Sequence, residues 1–199
     1  DEREWARKQR AKMAERVLLW QLAGSSRMHK TYPYLDALVA RLMLDHPELH
    51  VVLTGGPECA DLEAGWQAEP RVHCTSGRWS IRQTLAFLEY ADVIVGAETG
   101  VVNAAACLAA PKIVFLSHST VENLTRDWVN TVSLSGPNTN CPGRGRNEAP
   151  ACHQMHYGWD FCRRGEAKGV AACMEEIDPA IAYAAIHGAL NGRKLLEVV

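Results

Sequence analysis

At 199 residues, 47% of them hydrophobic, the chain is long enough to bury a full core and has the length of one domain or a small pair. A formal charge of -2 at pH 7 and a sequence pI near 6.5 supply no field that would gather nucleic acid, which is excluded as an expected partner. No apolar run reaches the roughly 18 residues a membrane span needs, and DEREWARKQRAKMAER lacks the apolar centre of a signal peptide, so a cytoplasmic location is expected.

Residues 1–16 carry dense charge of both signs and read as a helix without an obvious core face, a connector entering from something upstream. Val17 to Leu22 (VLLWQL) is a continuous apolar run stopped by Ala23-Gly24, the pattern of a strand buried on both faces. Leu35 to Leu44 (LDALVARLML) has apolar residues at helical spacing and ends before Pro47. His50 to Thr54 (HVVLT) is a second buried strand, closed by Gly55-Gly56-Pro57. A short helix is predicted over 60–66, a weak third strand over Arg71 to Cys74, and a helix from Ile81 to Tyr90 opened by Ser80. Asp92 to Gly96 is a fourth strand, Thr99 to Ala109 a helix of small residues, and Lys112 to Leu116 (KIVFL) a fifth strand.

Strands alternating with helices on short connections require a parallel sheet covered on both faces, because parallel neighbours need right-handed crossovers. The expected fold is therefore a doubly wound, Rossmann-like α/β domain over residues 17–199. After Thr120 the pattern weakens, and a Cys-rich loop is expected at about 136–173. Order returns with a helix over Ile177 to Leu190, Asp178 capping and Pro179 at its first position; GRKLLEVV reads as a frayed end.

Seven cysteines, an odd number, exclude a complete set of intrachain disulfides. Cys59, Cys74 and Cys107 fall in or beside apolar segments and read as small buried hydrophobes. Cys141, Cys152, His153, His156, Cys162 and Cys173 share one loop. Zinc would draw on a set such as Cys141, Cys152, His153 and Cys162, but paired C-x2-4-C spacing is missing, so a covering loop without metal is the expected state.

In an open α/β sheet the ligand site lies outside the carboxyl ends of the strands. Four loops therefore matter: Gly24 to Lys30, Thr54 to Glu58, Gly96 to Asn103, and Leu116 to Thr120. In the first, Ser25 and Ser26 offer hydroxyls and N–H groups after a strand, with Lys30 able to bring a cation to an anion held there. From this loop alone a turn at Ser26 and a solvated Lys30 explain the residues as well. Neither G-x-x-x-x-G-K-[ST] nor G-x-G-x-x-G is present. In VGAETGVVNAAACLAAP, Glu98 ends a strand and Thr99-Gly100 open a helix of small side chains, which lets an anionic ligand reach the helix start; tight packing accounts for the alanines equally.

The ordered set SS-x3-K-x-[WY]-P, then GGP-E after a strand, then acid-Thr-Gly before a small-residue helix and a strand after AAP, resembles the C-terminal lobe of glycosyltransferase family 9. These are the ADP-heptose lipopolysaccharide heptosyltransferases and relatives, of GT-B architecture. The likeness runs from about Val17 to Thr120, and ACMEEIDP, Ala172 to Pro179, is similar to the family's tail. The resemblance implies a donor lobe in which Ser25, Ser26 and Lys30 contact the diphosphate of a nucleotide sugar and Glu58 lies near the ribose. It further implies that Thr99 and Gly100 present N–H groups to phosphate, with Glu98 facing sugar or diphosphate. The departures are Glu98 for the family's Asp, Asn103 for its His, and Tyr32 for its Trp.

The implied reaction is inverting transfer of a heptose-like sugar from a nucleoside-diphosphate donor, ADP-linked, to lipopolysaccharide or another glycan, with no cofactor required. The family's base is an aspartate of the N-terminal lobe, which this sequence lacks, so the chain alone is expected to be inactive. Peripheral membrane association of the full-length enzyme is compatible with this reading. A GT-B-like sugar-nucleotide epimerase and a non-catalytic nucleotide-sugar-binding module, with Asn103 marking lost chemistry, are the alternatives.

Overall fold

The computed structural model describes residues 1–13, 15–24, 27–137, 162 and 165–192. Its centre is a six-stranded, all-parallel sheet: β1 (Arg16–Gln21), β2 (Leu49–Thr54), β3 (Val72–Cys74), β4 (Val93–Ala97), β5 (Lys112–Leu116) and β6 (Thr131–Ser135), in spatial order β3-β2-β1-β4-β5-β6. β1 lies between β2 and β4, with Leu18 opposite both Val51 and Val93. The helices are α1 (Glu2–Arg10), α2 (Arg27–Lys30, a single turn), α3 (Leu35–Asp45), α4 (Ile81–Leu88), α5 (Gly100–Ala104), α6 (Ala172–Glu175) and α7 (Pro179–Leu190).

The strand runs lack polar alternation because both faces are covered. Leu18 and Trp20 of β1 pack with Val51, Leu53, Val93, Val95, Ile113 and Phe115 on the face under α3 and α7. Val17 and Leu19 pack with Val52, Ile94, Phe87 and Leu88 on the opposite face. Each buried aliphatic or Phe side chain contributes roughly 1.5–3 kcal/mol, so this two-faced burial is the main source of stability. Tyr32 is part of this core: its ring stacks on Phe115 at 4.5 Å between centroids and its hydroxyl donates to the Ile177 carbonyl at 3.1 Å.

Local signals act as their chemistry dictates. Ser80 and Gln83 form a capping box on α4, and Asp178 caps α7 by accepting from Ala180 N at 2.7 Å with Pro179 at the first position. Three expectations need correction. The first helix has a core face after all: Ala6 is fully buried and Trp5 meets Trp79 edge-on at 4.8 Å, seating α1 on α4, while Arg16 already belongs to β1. The predicted helix over 60–66 is only a pair of 3-10 turns, Pro57–Cys59 and Ala64–Trp66. A sixth strand, β6, follows a π-helical turn at Val121–Thr125 where no strand was expected. Its inward residues Val132 and Leu134 alternate with polar ones, as suits an edge strand.

Among the cysteines, Cys59 is buried and Cys74 half-buried as read, whereas Cys107 is exposed. Cys141, Cys152, His153 and His156 lie outside the described residues, as do residues 193–199. Cys162 is buried, with its sulfur 3.5 Å from Ala172 N, and no group of three or more potential metal ligands occurs among the described residues. Among those residues, no helix is long and apolar enough to cross a membrane.

α7 docks on α3 through a paired histidine contact. His46 Nε2 and His187 Nδ1 stand 2.9 Å apart, the Tyr183 hydroxyl donates to Asp45, and Arg41 lies 4.0 Å over the Tyr183 ring. Burial, and then the neighbouring His187, push the His46 pKa down. A group with a depressed folded pKa is protonated more readily in the unfolded chain, so its contribution is present above the unfolded value near 6.5 and is lost as pH falls below it. Urea unfolding at about pH 5.5 is therefore expected to show a lower midpoint than at about pH 7.5, with a smaller gap in a His46→Gln chain. Equal gaps in the two chains would refute this role.

Candidate functional site

The strand order reverses direction between β1 and β4, and the crevice at their carboxyl ends is where the connecting loops part to opposite sides. Three loops meet there: the one after β1 leading into α2, the Glu98–Thr99 link between β4 and α5, and Ser117–Thr120 after β5. Close packing fixes their spacing. Gly24 lies against Thr99, where an added Cβ would touch its Cγ2 at 3.4 Å, and a Cβ on Gly96 would come within 2.9 Å of the Gln21 carbonyl.

Glu98 is the hub. Its side chain is 3% exposed, and both carboxylate oxygens are taken up within the protein. Oε1 accepts from Ser117 N at 2.9 Å, from His118 N at 2.8 Å and from the Ser117 hydroxyl, while Oε2 accepts from Ser119 N at 3.1 Å. Lys30 Nζ stands 3.3 Å from Oε1, and His118 Nδ1 at 3.0 Å. Burial alone would raise the Glu98 pKa, but the hydrogen bonds from His118 and the Ser117 hydroxyl and the Lys30 charge together outweigh it and hold the carboxyl well below its ordinary range. Burial pushes Lys30 down, and the Glu98 charge opposes that.

These contacts decide one alternative. Lys30 is 7% exposed and ion-paired, so it is not a solvated surface lysine. Thr99 caps α5, its hydroxyl accepting from Val102 N at 3.3 Å, and Gly100 opens that helix with open space where a Cβ would stand. Asn103 is exposed on α5, its N–H bonded to the Thr99 carbonyl at 2.8 Å. Ser25 and Ser26 lie outside the described residues.

Glu58 sits apart from the hub, exposed in the turn after β2, with its carboxylate folded over Gly56. Arg27 ties the two regions together, donating to the Glu58 carbonyl at 2.7 Å and to Asp61 at 2.5 Å. Behind that turn, buried Glu63 accepts from the Ser76 hydroxyl at 2.8 Å, and Gly77 takes φ 68° to pass close to Pro57. The structure thus brings Lys30, Glu98, Thr99 and Gly100 together and places Glu58 on the neighbouring loop. Sequence reading assigned no role to Arg27, Ser117 and His118. The available signal was the polar run SHST directly after the apolar strand KIVFL.

A Rossmann-like domain with a crevice at its switch point anchored by a buried lysine–carboxylate pair is the class these features define. No family model matches the sequence, and no curated protein matches it. Among solved structures the chain is similar to E. coli ADP-heptose LPS heptosyltransferase II, with TM-score 0.66 and 13% identity over 96% of this chain and 51% of that one. It is also similar to a glycosyl transferase family 9 protein from Veillonella parvula, with TM-score 0.67 and 12% identity over 96% of this chain and 52% of that one. The chain accordingly shares its Rossmann-like fold with these two glycosyltransferase structures and spans about half of their length.

Proposed function

We propose that this chain is the donor-binding lobe of an inverting glycosyltransferase, holding an ADP-linked, heptose-like sugar for transfer to lipopolysaccharide or another glycan. The observation that carries the reading is the buried Lys30–Glu98 pair at the switch point of a glycosyltransferase fold. Breaking a sugar–phosphate bond leaves charge on the departing diphosphate, and a preorganised lysine lowers that barrier without a metal in this reading. Ser25, Ser26, Thr99 and Gly100 would line the diphosphate and Glu58 the ribose, with Asn103 beside them on α5. In this reading Glu98 acts through the groups it holds: it sets Lys30 and the loop after β5 in place. The acceptor and the base that deprotonates it belong to a second lobe, so the chain by itself binds donor and transfers nothing.

Calorimetric titration with ADP, UDP and GDP tests this. ADP is expected to bind best, and Lys30→Ala to weaken it about thirtyfold, the loss of one charge-assisted hydrogen bond of about 2 kcal/mol. Circular dichroism verifies that the variant is folded, with Lys30→Met as a second choice of similar length. Absence of any nucleotide binding at millimolar concentration, or ADP affinity unchanged in a folded variant, would overturn the reading.

A further inference from the structure

The crevice contains one group that the donor-lobe reading leaves without a task. His118 stands in the loop after β5 with its side chain 27% exposed, Nδ1 3.0 Å from Glu98 Oε1 and 3.0 Å from the Ser117 hydroxyl. The loop does not need this ring to stay in place, because Ser117 N, His118 N and Ser119 N already bind the same carboxylate. The two nitrogens of an imidazole lie on different edges of the ring, so fixing Nδ1 on a buried carboxylate sets the tautomer and turns Nε2 away from it.

Charged groups from several elements surround the ring. Glu98, from the loop after β4, has Oε1 3.0 Å from Nδ1. Lys30, from α2, has Nζ 3.4 Å from Nδ1. His29, also from α2, faces the ring edge-on at 6.3 Å between centroids, and Cys173 of α6 acts electrostatically on Lys30. With a neutral imidazole, the trio Lys30, Glu98 and His118 carries no net charge. With an imidazolium it carries one positive charge, which a nearby anion compensates.

We propose that His118 is a diphosphate-binding residue whose protonation is coupled to ligand binding, with Nδ1–H kept on Glu98 and Nε2–H donated to a phosphoryl oxygen. One proton is taken from solvent onto Nε2 as the ligand binds and returns to solvent as it leaves; no covalent bond changes. The inference rests on the donor-lobe reading, since it presumes that a diphosphate enters this crevice.

The test is calorimetric titration of the full chain with ADP and with inorganic pyrophosphate at about pH 6 and about pH 8, in buffers of different ionisation heat. His118→Asn keeps a donor for Glu98 and removes Nε2; His118→Gln puts a neutral amide near the Nε2 position and serves also if the first variant fails to fold. Relative to native protein, His118→Asn is expected to bind about tenfold more weakly near pH 6 and nearly equally near pH 8, a difference of one charge-assisted hydrogen bond present only in the protonated state. Proton uptake by the protein disappears in both variants, and the ligand's own titration cancels in the ratio.

Native-like pH dependence and proton uptake in folded His118→Asn would overturn the proposal, as would an equal loss of affinity at both pH values. If Lys30→Ala weakens binding while the His118 variants match native protein, the donor reading stands and this inference falls. If native protein binds neither ligand at millimolar concentration, both fall.

Discussion

A Glu98→Gln chain is expected to unfold about 3–5 kcal/mol more readily than the native one, the cost typical of removing one partner from a buried ion pair. The amide keeps the size of the side chain but leaves Lys30, itself 7% exposed, with an uncompensated charge, and its NH2 end faces donors instead of accepting from them. For a chain of this length that loss corresponds to a fall in Tm of roughly 10 °C. Combining it with Lys30→Met removes the stranded charge, so the double variant should recover part of the loss, a coupling that a thermodynamic cycle reads directly. The pH dependence has a definite sign. Because the folded carboxyl is held well below its ordinary range, its contribution is complete above the unfolded value near 4.3 and declines as pH falls below it. Native and Glu98→Gln urea midpoints should accordingly converge in acid. Equal midpoints at neutral pH would show that the carboxylate does not hold the crevice together.

Gly96→Ala is the second large effect. Gly96 pairs in register with Gln21 at the carboxyl end of the two central strands. A methyl there would stand 2.9 Å from the Gln21 carbonyl and 2.9 Å from Val102 Cγ2, closer than real side chains come. The Gln21 backbone cannot retreat, because β1 is bonded to β2 on its other side. The expected outcome is a loss of about 2–3 kcal/mol with a Tm lowered by roughly 5–10 °C, and weaker ADP binding because the β1 and β4 loops are forced apart. Alanine at exposed Gly100, which has open space around it, should cost far less and serves as the control. A Gly96→Ala chain as stable as the Gly100→Ala chain would mean the central strands yield where the packing says they cannot.

The fold was legible where burial writes continuous apolar runs. VLLWQL, HVVLT and KIVFL announce doubly covered strands because their apolar residues are shared between hydrophobic layers on the two faces of the sheet. β6 was not legible because an edge strand needs only Val132 and Leu134 inward, too short an alternation to stand out beside a turn. The face of α1 was hidden for a related reason. Ala6 and Trp5 anchor it, and neither an alanine nor a single tryptophan marks a stripe among so many charges. In the site, Lys30 and Glu98 were both singled out from the sequence, yet their mutual contact was not visible. It depends on α2 and the β4 loop converging from positions far apart in sequence. His118 escaped for the same reason: only the folded chain shows that its neighbour is the carboxylate of Glu98.

The placement of β1 also sets the order in which the chain can be completed. Of the strands of this sheet it is the first to leave the ribosome, and β2 can pair with one edge of it soon afterwards, but the other edge belongs to β4. At synthesis rates of about 5–20 residues per second, that second partner emerges on the order of seconds later. Throughout that interval VLLWQL presents an open, flat and almost wholly apolar edge, the kind of surface that templates unwanted pairing between chains. The same centrality that makes this strand the floor of the crevice leaves it half-paired until β4 emerges.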